Sequence, residues 1–138
     1  MNSGEVSVFN RTKRTVLAQR VRVAGSVLSR LLGLLGRSSL ESGSGLWIVP
    51  ANSIHTVGML FSIDVVLIDR RRRVVAVRNR MRPFSLLLPN FRARSVLEFP
   101  AHTIQRTATE IGDELQIESY DAAQLAPQRM YTPIAESQ

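Results

Sequence analysis

The spacing of apolar positions predicts strands along most of this chain and a helix in one place. Residues 15–24 set Gln19, Val21 and Val23 against Arg20 and Arg22, the two-residue period of a half-exposed strand. Before them, Val6, Val8 and Phe9 are interrupted by Asn2, Ser3, Gly4 and Asn10, so residues 1–14 are expected to be a poorly ordered start or a short edge strand. After Gly25 the period changes. Val27, Leu28, Leu31, Leu32 and Leu35 recur at helical spacing behind Ser26, a natural N-cap, and Gly36 is the expected stop. A leucine stripe of this length is expected to pack against a sheet.

Residues 45–50 predict a buried strand stopped by Pro50. The stretch Ser53 to Asp69 follows, expected to be extended through Met59 and then a strand from Phe61 to Ile68. Both faces of that strand are apolar except at Asp64, so both should be covered. Asp69 to Arg73 predicts a hairpin turn and Val74 to Val77 the returning strand, while Pro83 and Pro89 argue for a loop over Arg78 to Arg94. Ser95 to Phe99 and Glu114 to Glu118 complete the strands, with one or two helical turns from Thr103, capped by Thr103 itself, between them. Five or six short strands with one helix after the first do not form alternating βαβ units. The prediction is a mainly β domain over 15–118, a compact antiparallel β-sandwich or barrel with one short helix in its N-terminal half, followed by a polar, mobile tail over 119–138.

Composition narrows the picture. The chain has 138 residues, enough for one domain with its own core, and is 44% hydrophobic. It has no cysteine, which excludes disulfides, thiol catalysis and cysteine metal sites. The polar N-terminus has no apolar signal region, and no apolar run approaches the roughly 20 residues of a membrane span, so the expected location is the cytoplasm. The net charge is +7, and every one of the 18 basic residues except Lys13 is arginine. Arginine codons of a GC-rich genome account for such a bias without any function. The functional account is bidentate contact with phosphate or carboxylate.

Several segments together carry a family resemblance: Gly33-Leu34-Leu35-Gly36-Arg37, Gly45-Leu46-Trp47, Ile54-His55-Thr56-Val57-Gly58-Met59, Ile63 to Asp69, Val96-Leu97-Glu98 and Ile111-Gly112-Asp113. In order and spacing they resemble the bacterial and archaeal DUF192 family, a domain of unknown function, over roughly residues 16–118. The resemblance implies a β-sandwich of jelly-roll-like topology and brings no established activity, substrate or cofactor. Many relatives carry Trp-Met-Lys-Asn-Thr where residues 54–59 stand here, glycine near the position of His102, and an Asp-Gly turn in place of Asp69 to Arg73. Chemistry assigned to a relative through that Trp or Lys would not transfer.

Asp64 is the most informative residue, because an ionised carboxylate in an apolar strand costs several kcal/mol unless it is paired or hydrogen-bonded. Its expected partners are Arg37, His55, Thr56 and amides of the preceding loop; as a brace it would pin residues 52–59 to the sheet. Arg37, His55, Thr56, Met59 and Asp64 form the candidate site for a small polar or anionic ligand or a protein partner, and a binding or accessory module is the leading function. The alternative is an arginine-driven binder of nucleic acid or another polyanion through Arg70, Arg71, Arg72, Arg73, Arg78, Arg80 and Arg82, in an interval from Arg70 to Arg94 that holds nine arginines and no acid. Only Phe84 and Phe91 could stack on bases there. A third possibility is a hydrolase or metal-dependent enzyme around His55 and Asp64; as a metal set, His55 and Asp64 would be joined by Met59 and His102. No nucleophile elbow, P-loop or dinucleotide fingerprint is present, so no catalytic residue, metal or cofactor is assigned.

Overall fold

Ile63 to Ile68 are all buried, and the sheet is arranged about them. The computed structural model describes residues 4–25, 40–56 and 59–121. Its strands are β1 (Glu5–Asn10), β2 (Thr15–Ala24), β3 (Ser44–Ile48), β4 (Ile54–His55), β5 (Ile63–Ile68), β6 (Val74–Met81), β7 (Leu86–Leu87), β8 (Ser95–Pro100) and β9 (Leu115–Ser119), with one helix, α1 (Thr103–Thr107). Seven strands form one sheet in the order β6-β5-β8-β3-β2-β1-β9, and β4 pairs with β7 in a separate ribbon.

The sheet is mixed, where antiparallel pairing was expected throughout. β2 and β3 run parallel, Val21 beside Gly45 and Val23 beside Trp47. The connection between them, residues 25–43, exceeds the dozen or so residues a parallel crossover needs. The other pairings are antiparallel. The helix expected after Ser26 and the expected tail from residue 122 on lie outside the described residues, but Ser119, expected to open that tail, still pairs with Val6 at the end of β9.

The sheet curls into a half-barrel whose edges meet at one end. Arg73 bridges Glu114, the Val74 amide donates to Asp113 O and the Leu115 amide to Arg72 O. Alternation along β5 divides the core. Ile63, Val65 and Leu67 pack with Ile54, Met59 and Met81 on one face, beneath the β4–β7 ribbon. Val66 and Ile68 pack with Val8, Leu17, Phe99 and Ile104 on the other.

Three local departures have physical causes. β1 lies between β2 and β9 because Val6 to Asn10 pair on both sides, where a frayed or edge position was expected. β6 continues through Arg80 to Met81 because only at Pro83 does the backbone lose its amide donor, so the expected loop from Arg78 begins later. Thr103 does not cap α1: the cap is His102, without a side-chain bond, and the Thr103 hydroxyl donates to Pro100 O.

Candidate functional site

Asp64 projects to the face of β5 away from His55 and Met59. One carboxylate oxygen accepts the Arg80 amide at 2.8 Å, the other the Ile104 amide at 2.8 Å. Backbone amides are therefore its partners, as one of the expected classes, but from β6 and α1 and not from the loop before β5. Each amide anchors a segment with an unusual backbone. Arg80 has φ +48, and His102, two residues before Ile104, has φ +78. Ala108, at the end of α1, has φ +58. Non-glycine residues held in this region cost of order 1–3 kcal/mol each and persist only where the surroundings fix them.

These segments border a groove of about 460 Å³ between the far end of β6 and α1, lined among others by Lys13, Asp64, Arg80, His102, Gln105 and Glu110. Arg80 and His102 are exposed at its rim, and Asp64 is buried at its base. On the other wall, Lys13 bonds Glu110 at 2.8 Å and Asp113 at 2.9 Å, and the buried Asn10 amide donates to Asp113 at 2.9 Å. The groove thus presents one committed cation, Lys13, and two side chains, Arg80 and His102, outside every ion pair among the described residues.

The Lys13 cluster carries a pH dependence. Burial would raise the Asp113 carboxyl, but bonds from Asn10, Lys13 and the Glu110 amide outweigh it, so its pKa lies below the ordinary carboxylate value. A depressed carboxyl stabilises the fold above its unfolded pKa and loses that contribution as pH falls through its folded pKa, so the acid limb should lie below about pH 4. Hydrogen bonds to Asp113 and Glu110 raise Lys13, whose contribution is complete below its unfolded value and lost only as pH rises beyond it. Urea titrations at descending pH should show a loss of stability in acid that is shallower in Lys13→Met. An equally steep loss in that variant would remove the cluster as its source.

The other predicted residues are dispersed. His55 is half-buried in β4, beside Leu86 of β7. Thr56 is fully buried and secures the following loop: its hydroxyl donates to Arg82 O at 2.6 Å and accepts the Ser85 amide at 2.7 Å. Met59 is in the core, its amide bonded to Thr56 O at 3.1 Å, so the segment is not one extended strand. Arg37 lies outside the described residues. The imagined metal set is divided, with Asp64 and His102 at the groove and His55 and Met59 elsewhere; among the described residues no cluster of three His, Cys, Asp or Glu could hold a metal.

The arginines separate as well. Arg72, with φ +65, lies over the Trp47 ring at 5.2 Å and donates to Ile117 O at 3.2 Å, so it is structural. Arg73, Arg78 and Arg82 are exposed along or beyond β6. Arg70 and Arg71 join Arg92 and Arg94 around a cleft of about 230 Å³ at the hairpin tip. Asp69 closes that turn, its carboxylate accepting the Arg71 and Arg73 amides. Sequence reasoning did not place Lys13, Glu110 or Gln105 at the groove, and Glu98, fully buried in β8, carries a burial that Asp64 shares. An acid inside an apolar strand was the available signal for Glu98.

Among the described residues the architecture is that of a small, curled β half-barrel with a short helix, α1, packed against β2 and β6. The chain belongs to the DUF192 family, described as "Uncharacterized ACR", which matches residues 8–117. It is similar to a UPF0127 protein of Thermococcus sibiricus, 34% identical over 116 residues, which span 80% of this chain and 74% of that one. A UPF0127 protein of Pyrococcus horikoshii is 32% identical over 114 residues, 79% and 96% of the two chains. Two solved structures share the fold. A protein of unknown function from Novosphingobium aromaticivorans has a TM-score of 0.68 at 19% identity, with 81% of this chain and 83% of that one covered. A Sinorhizobium meliloti protein, described provisionally as a transcription regulator, has a TM-score of 0.67 at 20% identity, with 81% and 91% covered. Among the described residues no helix is long and apolar enough to cross a membrane.

Proposed function

We propose that this chain is a binding module whose ligand is a small anionic molecule, a carboxylate or phosphate, held in the groove by Arg80 and His102. One observation carries the reading: both oxygens of the buried Asp64 fix the backbone behind two positive-φ residues that project cationic or hydrogen-bonding side chains into the same groove. Asp64 is then a positioning residue and not a ligand contact. A rigid guanidinium fork suits carboxylate or phosphate geometry, and an imidazole beside it adds a second donor. Gln105 supplies a further donor on the helix wall.

His102→Gly separates binding from folding. Glycine relieves the left-handed backbone but adds freedom to the unfolded chain, so stability should stay within about 1 kcal/mol of wild type. Titration calorimetry with di- and tricarboxylates, inorganic phosphate and nucleoside monophosphates should find a ligand for the wild type that His102→Gly and Arg80→Ala each weaken at least tenfold. Unchanged affinity in both variants, or no heat with any of these anions, would end the proposal.

A further inference from the structure

We propose that the face formed by residues 84–91 and the arginine cleft beside it is a docking surface for an anionic lipid bilayer. Among the described residues the exposed large apolar side chains are Leu60, Phe84, Leu86, Leu88, Phe91 and Ile111, and all but Ile111 lie within residues 84–91 or, for Leu60, beside them. Phe84, Leu86 and Leu88 are exposed while Pro83, Ser85 and Leu87 are half-buried, so the segment turns one apolar edge outward. The exposures are large: 73% for Phe84, 71% for Leu88 and 82% for Phe91. Leu60 joins them because Thr56 O accepts both the Met59 and Phe84 amides.

The segment is fixed in place. The Thr56 amide donates to Ser85 O, Leu86 and Leu87 pair with His55 and Ile54, and the Asn90 amide donates to Asn52 O. A clustered, held apolar edge marks an interaction surface, unlike scattered surface leucines. Its chain continues directly into Arg92 and Arg94, which share the cleft with Arg70 and Arg71. Among the described residues none of these four makes an ion pair.

Charge and side-chain type select the partner. The arginines call for an anionic surface, and the chain's own +7 charge opposes a second copy. Bases could stack on Phe84 and Phe91 but gain little from Leu86 and Leu88. All four side chains enter an acyl boundary, with guanidinium groups at the level of the lipid phosphates. The cleft lies at the turn end of the β5–β6 hairpin, and the Arg80–His102 groove at the other end, so the two sites can be tested separately.

The test is co-sedimentation of the full chain with vesicles of phosphatidylcholine alone or with about one-third phosphatidylglycerol, at moderate salt. Binding should require the anionic lipid. Arg70→Ala, Arg71→Ala and Arg92→Ala combined should weaken it on the order of 100-fold, and Phe84→Ser with Leu88→Ser at least roughly tenfold. All these positions are exposed, and unchanged melting curves would establish that the variants fold. Absence of vesicle binding overturns the proposal. So does vesicle binding that the serine variant retains in full, or binding of DNA in preference to vesicles. Self-association lost in the serine variant, without vesicle binding, assigns the face to a second copy and overturns it too.

Discussion

Asp64→Ala is expected to cost about 2–4 kcal/mol of folding stability, since it strands the buried Ile104 amide at about 1–3 kcal/mol, frees the part-buried Arg80 amide at less, and opens a small void. The amides belong to Arg80 and Ile104, 16 and 40 residues away in the chain, so the carboxylate joins β6 and α1 to β5 at a single point. No water reaches the group, because Asp64 is fully buried. Asp64→Asn keeps the shape and one acceptor but turns a donor towards the other amide, so it should cost less, about 1–3 kcal/mol. Urea denaturation of the three proteins, fitted with a common m-value, measures this directly. A wild-type midpoint in Asp64→Ala would show that the carboxylate is no brace, and the preorganisation argued for Arg80 and His102 would go with it.

Gly45→Ala should cost about 2–4 kcal/mol, at or above the usual range for overpacking, because the obstacle is backbone. A Cβ at Gly45 would stand 2.7 Å from Glu98 O and 2.9 Å from a Phe99 ring carbon. The carbonyl belongs to β8, which pairs with β3 through Leu46 and Glu98, so it cannot retreat without loosening the centre of the sheet. The Phe99 ring is fully buried, so it can move only by displacing its neighbours. Thermal denaturation followed by circular dichroism would register a fall of several degrees or more. Equal melting points for Gly45→Ala and wild type would mean that β3 and β8 are free to part.

Much of the strand plan was legible because it rests on local chemistry. Alternation from Thr15 to Ala24 marked β2, and the acid-then-arginine turn at Asp69 marked the β5–β6 hairpin. What stayed hidden was held by groups distant in sequence. The place of β1 depends on Asn10, a polar residue that is buried because Asp113 and Thr109 accept its amide hydrogens, and no periodicity announces that. The end of β6 was missed because Arg78, Asn79 and Arg80 are exposed along a sheet edge, where nothing apolar marks the pleat. The burial of Asp64 was evident from its neighbours, but its partners are main-chain amides, which every residue has. It was therefore grouped with His55, Thr56 and Met59, whereas alternation along β5 sends it to the opposite face. The left-handed backbone at His102 had one indirect signal, the glycine that the family resemblance puts near that position.

The pairing of β1 with β9 has a mechanical consequence. Val6 lies opposite Ser119 and Asn10 opposite Leu115, so the start of one strand and the end of the other share one end of an antiparallel ladder. Tension applied through the two ends of the domain would load the Val6–Ser119 rung alone, then each following rung in turn, because the bonds lie perpendicular to the strands. The β1–β9 pair would peel apart like a zipper at low force, while the parallel β2–β3 ladder, pulled along its length, would have to break its rungs together.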